Sequence, residues 1–584
     1  MNVTNLIGES QLPGLGRLWS AELGKHKILL AAIMRMAESE GVPDYQRALA
    51  LPYRLLAAIQ AGYPDVAASV LAMPQFGAWA SECVRRLLAG AGTESDGVPL
   101  TMDLGHLALF TAVAAERAGQ AFDLEVPLRT GTACFPGAGT ARPGANAPWE
   151  WGRAWLDGTR CRVKSSVSTV EIGGPCWSGL PRFVATERGL LFDVVLDDTD
   201  PFLDRYGDAR VRVAGDDLRR WQELLGQAWQ ILARDHYPLA ALTARTVRTL
   251  VPLAQPGPTR SAGATEMSSF GAVAMSLPAD ALSMAEALVH ETHHAILGAV
   301  MDIEPLADER TDFLAYAPWR DDPRPVSALL QGTFSHYGMG RFWRQRYRAG
   351  LPANRLRAAV EFGRLRGMVT QAAATLTGSG VLTEAGHDLL ASIQAEISDW
   401  LHEPLPRAAR EYIADLAADH EARWRLSHLV PDPVIVGRLA DAWRRGAPPP
   451  VPLDAIATRL APGPLPEASA NLRSYLMSLR YVRPDLIRAL LSSDDWAIGP
   501  ADAALVSGEH EAAAASYLGR IAAEPKVRDI DAWAGLATAR RRTGPAPIAR
   551  LFAERPELLM ALHRLADGGV RLPDDLASWL AGAT

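Results

Sequence analysis

The sequence has few of the features that mark a secreted, disulfide-rich or membrane-spanning protein. Its four cysteines, among 584 residues, are scattered and form no C-x-x-C pair, so neither a disulfide framework nor a cysteine zinc site is predicted. No run of about 18 apolar residues occurs, so no membrane span is predicted. The N-terminus lacks a basic segment followed by an apolar core, so no secretory signal is predicted. We therefore expect a protein of the reducing cytoplasm.

The chain also lacks a net positive charge. The net charge is −7 and most basic residues are arginine, which gives no electrostatic reason to expect nucleic acid as a partner. Hydrophobic residues make up 48% and charged residues 21% of the chain. That balance is typical of a folded globular protein with a substantial core.

The pattern of apolar residues predicts an α+β protein that is predominantly α-helical, in four segments. Residues 1–122 show helical spacing, residues 123–215 are rich in short β-type runs, and residues 216–445 return mainly to helical spacing. Gly446–Pro452 contains three consecutive prolines and predicts a linker. Residues 453–584 form a helical tail, in which Ala501–Thr543 resembles a tetratricopeptide-type helical pair around Gly508.

Individual elements can be placed within these segments. Asp217–Ala233 predicts a helix, whereas Thr243–Leu253 and Gly271–Ser276 read as strands. The β-type runs of the second segment are Val126–Leu128, Arg160–Val163, Val167–Ile172, Arg182–Ala185 and Leu190–Leu196.

One motif has the residue types needed to bind a metal ion and to activate water. His290-Glu291-Thr292-His293-His294 matches H-E-x-x-H, so residues 216–445 are the predicted metal-binding catalytic core. Residues four apart lie on one face of a helix, so the imidazoles of His290 and His294 can bind one metal ion, and Glu291 can orient or deprotonate a water there. Pro278 and Asp280 mark the start of this helix, and Ser283 with Glu286 predict a capping box. The alternative is two packed histidines without an ion.

Two histidines on one helix need a third protein ligand, which leaves further positions open for substrate. Asp302, Glu304 and Glu309 are carboxylate candidates downstream of the motif. The next histidine is His336, on a second predicted helix, where it could face the first. His293 lies about 100° round the helix from His294, and we expect it to support a ligand or lie at the surface.

A wider stretch of sequence resembles a known family. The motif His290–His294 is followed by Tyr316–Pro325, Leu330–His336 and Phe342-Trp343, and then by a helical segment around His420. This arrangement is similar to the H-E-x-x-H peptide-modification family, also described as alpha-ketoglutarate-dependent peptide β-hydroxylases. The likeness is specific over Gly271–Tyr347 and extends over residues 124–433, while the tail carries no motif of the family.

The resemblance implies Fe(II) as the metal, with 2-oxoglutarate and O2 as co-substrates. It implies His336 as the third ligand, which departs from the usual triad of two histidines and one carboxylate. Arg320 and Arg324 are the candidates to bind the distal carboxylate of 2-oxoglutarate, because the guanidinium fork matches a carboxylate. The alternative for both arginines is a structural network with Asp321 and Asp322.

Three hypotheses remain open. The first is an Fe(II)/2-oxoglutarate oxygenase that hydroxylates the β-carbon of a residue in a ribosomally made precursor peptide, including one already modified by a radical-SAM maturase. The second is a zinc peptidase with Glu291 as general base. The third is a non-enzymatic helical scaffold. If Gly271–Ser276 lies beside the motif helix, the core would look zincin-like under any of them.

Overall fold

The computed structural model describes residues 12–90, 97–203, 210–255, 262–350, 355–461, 470–482, 487, 490–491, 498–566 and 572–582. These residues form a predominantly helical α+β protein, which confirms the predicted fold class. The chain divides into two compact units, the first made of residues 1–306 with 384–389 and the second of residues 307–383 with 390–584. Each unit is described by itself below.

The first unit begins with a layer of helices that confirms the predicted helical N-terminal segment. They are α1 (Leu12–Ser39), α2 (Leu51–Gly62), α3 (Pro64–Leu71), α4 (Pro74–Ala89), α5 (Leu100–Leu104) and α6 (Leu107–Arg117). Proline stands in the first turn of α2, α3 and α4, where its missing N–H would have no helical partner in any case. Phe76, Trp79 and Phe110 pack together in the core of this layer.

Two antiparallel sheets follow the helical layer. The first has the strand order β1 (Phe122–Arg129), β4 (Trp149–Asp157), β5 (Arg160–Lys164) and β6 (Thr169–Glu171), and the second has the order β2 (Ala133–Phe135), β3 (Gly139–Ala141) and β7 (Trp177–Gly179). Strands β1, β5 and β6 confirm three predicted β-type runs. The longest strand, β4, was not predicted. Its buried residues alternate along only part of its length, and its three tryptophans occur on both sides of a glycine.

A five-stranded mixed sheet completes the first unit. Its strand order is β11 (Gly263–Ala264), β12 (Ala272–Ser276), β10 (Thr249–Leu253), β9 (Leu190–Leu196) and β8 (Arg182–Glu187). The central strand β10 runs parallel to β12 and β9, whereas β11 and β8 are antiparallel to their neighbours. Every residue of β10 and β12 is buried, as expected for parallel strands covered on both faces.

Three helices accompany this sheet. They are α7 (Gly215–Asp235), α8 (Tyr237–Thr246) and α9 (Ala281–Met301). The predicted helix at Asp217–Ala233 lies within α7. The predicted strand Thr243–Leu253 is wrong in its first half, because Thr243–Thr246 form the end of α8. Thr243 and Thr246 are β-branched but buried in the helix, so tertiary packing overrides their β-propensity.

The boundary predicted at residue 215 crosses this sheet. Strands β8 and β9 come from the predicted β-rich segment, whereas β10, β11 and β12 come from the segment predicted to be the catalytic core. The two halves are joined by β9, whose Val195 and Leu196 pair with Thr249 and Leu250 of β10. Sequence order alone did not reveal this pairing, since more than 50 residues separate the partners.

The second unit is built mainly from helices. They are α10 (Val326–Ala349), α11 (Arg355–Thr377), α12 (Glu384–Leu401), α13 (Arg407–His428), α14 (Pro433–Arg444), α15 (Ala470–Val482), α16 (Pro500–Ser507), α17 (His510–Ala523), α18 (Ile530–Thr543), α19 (Ala546–Glu554), α20 (Pro556–His563) and α21 (Leu572–Ala581). Two short antiparallel strand pairs accompany them, β13 (Leu314–Ala315) with β14 (Arg324–Pro325) and β15 (Leu429–Pro431) with β16 (Thr458–Leu460).

The tail of the second unit contains the predicted helical pair. Helices α16 and α17 are joined at Gly508, and Trp533 of α18 is buried. Buried Asp419 on α13 binds Arg473 of α15, which also binds Asp502 of α16. This ion-pair network ties the tail to α13. In the described part of the chain, no helix has the length and apolar character needed to cross a membrane.

Candidate metal centre

The H-E-x-x-H motif lies in the middle of α9. Asp280 caps this helix by accepting a hydrogen bond from the backbone N–H of Ser283 at 2.7 Å. The predicted capping box is therefore corrected: the cap is Asp280, three residues before Ser283, and an aspartate in this position satisfies an otherwise unpaired N–H. Apolar residues on both sides of the motif, among them Leu288 and Ile296, are buried and hold the helix rigidly in place.

The two motif histidines point towards the same place. The Nε2 atoms of His290 and His294 are 3.2 Å apart, and the two rings are nearly perpendicular. Two nitrogens bound at about 2.0–2.1 Å to one ion lie roughly 2.8–3.4 Å apart in octahedral to tetrahedral geometry. The pair therefore fits two ligands of one ion. The side chain of His290 is 23% exposed, so this position is open to incoming molecules.

Glu291 is held beside this pair. Its Oε1 lies 3.9 Å from Nε2 of His290, and its Oε2 accepts a hydrogen bond from the Thr265 hydroxyl at 2.7 Å. Burial raises the pKa of the Glu291 carboxyl to about 7, although the Thr265 hydrogen bond acts in the opposite direction. A carboxyl group in such a setting can exchange a proton near neutral pH.

Strand β11 approaches Glu291 closely at Gly263. A β-carbon on Gly263 would lie 2.4 Å from Oε1 of Glu291, so glycine is required for the carboxylate to reach its position. Neither Gly263 nor Thr265 was identified from the sequence. They precede the motif by 27 and 25 residues and carry no motif of their own. Only the antiparallel pairing of β11 with β12 brings them next to α9.

The two remaining motif residues, Thr292 and His293, help to hold α9 in place. His293 is fully buried and its Nδ1–H donates to the carbonyl of Val289 at 2.8 Å, so the prediction that it could lie at the surface is wrong. Thr292 donates to the carbonyl of Leu288 and lies 3.2 Å from the Thr243 hydroxyl of α8. The face of α9 opposite His290 and His294 is thus hydrogen-bonded to the core of the first unit.

His336 lies on α10 in the second unit. Its Nδ1–H donates to the carbonyl of Gly332 at 2.8 Å, which leaves Nε2 as the nitrogen with a lone pair. Metal-binding histidines are commonly oriented in this way. The ring stacks on Trp319 with centroids 4.2 Å apart. Gly332 makes room for that stack, since a β-carbon there would lie 2.3 Å from the indole.

The two candidate arginines share one acidic partner. Arg320 binds one oxygen of Asp322 through Nε, Arg324 binds the other through Nη1, and both distances are 2.8 Å. The structural network with Asp322, considered as the alternative, is therefore present. Each contact uses one of the five N–H groups of a guanidinium. The arrangement is compatible with either role.

A half-buried polar pair lies in the same unit. The Tyr316 hydroxyl is hydrogen-bonded to Nδ1 of His420 at 2.7 Å, and Nε2 of His420 lies 3.8 Å from Asp321. Burial raises the pKa of Tyr316 well above its usual range and lowers that of His420. The contact joins the two segments on which the family resemblance depends, the Tyr316–Pro325 run and the helix around His420.

The carboxylate candidates for the third ligand are placed differently. Asp302 ends α9 and binds Lys25 at 2.7 Å. It stands eight residues after His294, which corresponds to about 12 Å along the helix axis, so it cannot join the His290–His294 pair. The backbone N–H of Glu304 is bonded to Val300, just beyond the same helix end. Glu309 belongs to the second unit.

The structure thus brings His290, His294 and Glu291 together in the first unit and places His336, Arg320 and Arg324 in the second. Among the described residues, no group of three His, Cys, Asp or Glu side chains converges on one point. The chain matches no protein-family model, and no curated protein is detectably similar to it. The candidate centre therefore rests on its own geometry.

Proposed function

We propose that this protein is an Fe(II)/2-oxoglutarate-dependent oxygenase that β-hydroxylates a residue in a ribosomally made precursor peptide. The observation that carries a metal-dependent reaction is the 3.2 Å separation of the His290 and His294 nitrogens. The choice of oxygenase chemistry depends on the resemblance of residues 271–347 to the peptide β-hydroxylases. Iron with 2-oxoglutarate and O2 would supply the oxidant that replaces a C–H hydrogen by a hydroxyl group.

The residues of the chain have separate tasks in this proposal. His290 and His294 bind the ion, and His336 is proposed as the third ligand. Arg320 or Arg324 binds the distal carboxylate of 2-oxoglutarate in competition with Asp322. The buried carboxyl of Glu291 contacts polar groups of the substrate beside the ion.

In this proposal the peptide binds along the outer edge of strand β11. This strand stands at the end of the five-stranded sheet and lies next to Glu291 through Gly263. An extended peptide can add to such an edge through backbone hydrogen bonds, which provide affinity without requiring a particular sequence. A peptide held there would pass close to the His290–His294 pair.

A zinc peptidase is the second candidate, because of the position of Glu291. A carboxyl with a pKa of about 7, placed 3.9 Å from a ligand nitrogen, suits a general base that takes a proton from attacking water and passes it to the leaving amine. The edge strand β11 would serve a peptidase equally well.

One experiment separates these functions. The full chain is loaded anaerobically with Fe(II) and then given O2, 2-oxoglutarate and a precursor peptide encoded beside its gene. Succinate and a peptide heavier by one oxygen atom would support the oxygenase. A shortened peptide with Zn(II), lost in Glu291→Gln while the metal is retained, would support the peptidase instead. Absence of stoichiometric metal would support the non-enzymatic scaffold.

A further inference from the structure

The first unit contains a second polar cavity that the proposed function does not use. Its volume is about 200 Å³, and it lies between the start of α6 and strands β1, β2 and β3. The polar residues that line it include His106, Arg129, Cys134, Thr140, Thr199 and Arg212.

Three polar atoms at this cavity are buried without a hydrogen-bond partner in the described part of the chain. They are Nε2 of His106, Oγ1 of Thr140 and Nε of Arg129. His106 and Thr140 are each only 1% exposed. Buried polar groups are nearly always hydrogen-bonded in folded proteins. Three such atoms at one cavity therefore indicate that a bound molecule supplies the partners.

The charges around these atoms favour an anion. Arg86 and Arg129 both bind the single carboxylate of Asp103, so this buried group carries one positive charge in excess. Arg212, by contrast, is paired with Asp198. Burial together with the charge of Arg129 lowers the pKa of His106, which is therefore a neutral imidazole able to donate from Nε2.

At the opposite end of the cavity, the carboxylate of Asp197 has its hydrogen bonds inside the protein. Asp197 accepts hydrogen bonds from the backbone and hydroxyl of Thr199, from the backbone of Asp200 and from Gln75. Burial and two nearby carboxylates raise the pKa of the Cys134 thiol well above its usual range, so the thiol is neutral. A ligand would place its charged group at the Arg129 end and its uncharged part here.

We infer that this cavity binds a small organic monocarboxylate. One excess positive charge matches a monoanion, and the three unpartnered atoms can all donate to the two oxygens of a carboxylate. An apolar cavity of about 150 Å³ holds benzene, so the space admits a carboxylate of roughly the same size or slightly larger.

The test is calorimetric titration of the full chain, without added metal, with propionate, its neutral isostere propionamide, and inorganic phosphate. We expect propionate to bind with one-to-one stoichiometry and propionamide not to bind.

Arg129→Gln should weaken binding about ten- to a hundredfold, and Thr140→Val about three- to tenfold. Both variants should fold. In Arg129→Gln, Asp103 still pairs with Arg86, and in Thr140→Val the lost hydroxyl has no described hydrogen-bond partner. Arg153→Gln, which removes an exposed pair with Asp123, is the matched control and should bind like the wild type.

Several outcomes would overturn the inference. If no anion binds, the cavity holds water only. If phosphate binds and propionate does not, the class of ligand is wrong. If Arg129→Gln and Thr140→Val bind propionate as tightly as Arg153→Gln, the carboxylate binds elsewhere on the chain. None of these outcomes depends on iron or on turnover, so they are independent of the proposed oxygenase.

Discussion

At the scale of single residues, Asp200 shows how burial couples stability to pH. It is fully buried, and its Oδ1 accepts a hydrogen bond from the backbone N–H of Phe202 at 2.9 Å. Burial and the neighbouring charge of Asp197 raise the pKa of Asp200 to about 7. Because the folded protein holds this proton more tightly than the unfolded chain, stability from this group is present below about pH 4 and is lost as pH rises through about 7.

Replacing this carboxyl by an amide should therefore stabilise the protein at high pH. Asp200→Asn keeps the acceptor for Phe202 and removes the charge that must be buried above pH 7. We expect its urea midpoint to exceed that of the wild type at pH 8 and the difference to shrink towards pH 5. Urea unfolding at both pH values measures this. A larger gain at pH 5 than at pH 8 would contradict the argument.

Gly332 provides a second prediction at this scale. Its α-carbon faces the indole of Trp319, which in turn stacks on His336. Gly332→Ala forces the indole away and should destabilise the protein by about 1–3 kcal/mol. The control is Gly367→Ala in α11, where a β-carbon meets nothing within 4 Å and where alanine should stabilise the helix by roughly 0.5–1 kcal/mol. Denaturant unfolding should show opposite signs for the two variants, and equal effects would argue against the Trp319 contact.

At the scale of elements, helices were easier to predict than their ends. The periodicity of α7 and α9 was evident, because a regular apolar face repeats over several turns. At α9 the start marked by Asp280 is confirmed and the capping box at Ser283 is wrong, since both residues are good caps by composition and only the backbone decides between them. Strand β4 was missed because its aromatic residues alternate imperfectly with polar ones.

The ion pairs that join α13 to α15 and α16 give a prediction for these elements. Asp419 is fully buried, with Arg423 at 3.0 Å and Arg473 at 2.8 Å, and these two cations hold the pKa of its carboxyl well below the usual range. Asp419→Asn leaves two guanidiniums without their shared anion, so we expect a loss of about 3–5 kcal/mol. The matched control, Asp441→Asn, removes an exposed pair with Arg444 and should cost at most about 0.5 kcal/mol.

Urea unfolding of the two aspartate variants measures this difference. The charged form of Asp419 is the stabilising one, so its contribution is present above the usual aspartate pKa and falls as the solution becomes strongly acidic. A similar loss in both variants would mean that the buried network contributes no more than a surface pair.

At the scale of the whole molecule, the sequence was most informative where chemistry and periodicity coincide. His290, Glu291 and His294 were identified because one helical turn fixes their relation. Thr265 and Gly263 were out of reach, since their relation to Glu291 depends on a strand pairing that no spacing encodes. The arginines were identified as a pair, but their common partner Asp322 follows from a tight turn that sequence reading could only offer as an alternative. Contacts between residues of one helix could therefore be predicted from the sequence, whereas contacts between residues of different elements could not.

The histidine pair within α9 gives a prediction for the metal. If His290 and His294 bind one ion, Fe(II) at about 100 times its Kd should stabilise the wild-type chain by about 2.7 kcal/mol. His290→Ala and His294→Ala should each abolish that stabilisation, since the pair of ligands on α9 is lost. His402→Ala, which removes an exposed histidine, should leave it unchanged. Anaerobic thermal unfolding with and without Fe(II) measures the effect. His336→Ala then tests the third ligand: loss of the Fe(II) effect would assign it, and full retention would exclude His336 while leaving the pair on α9 intact.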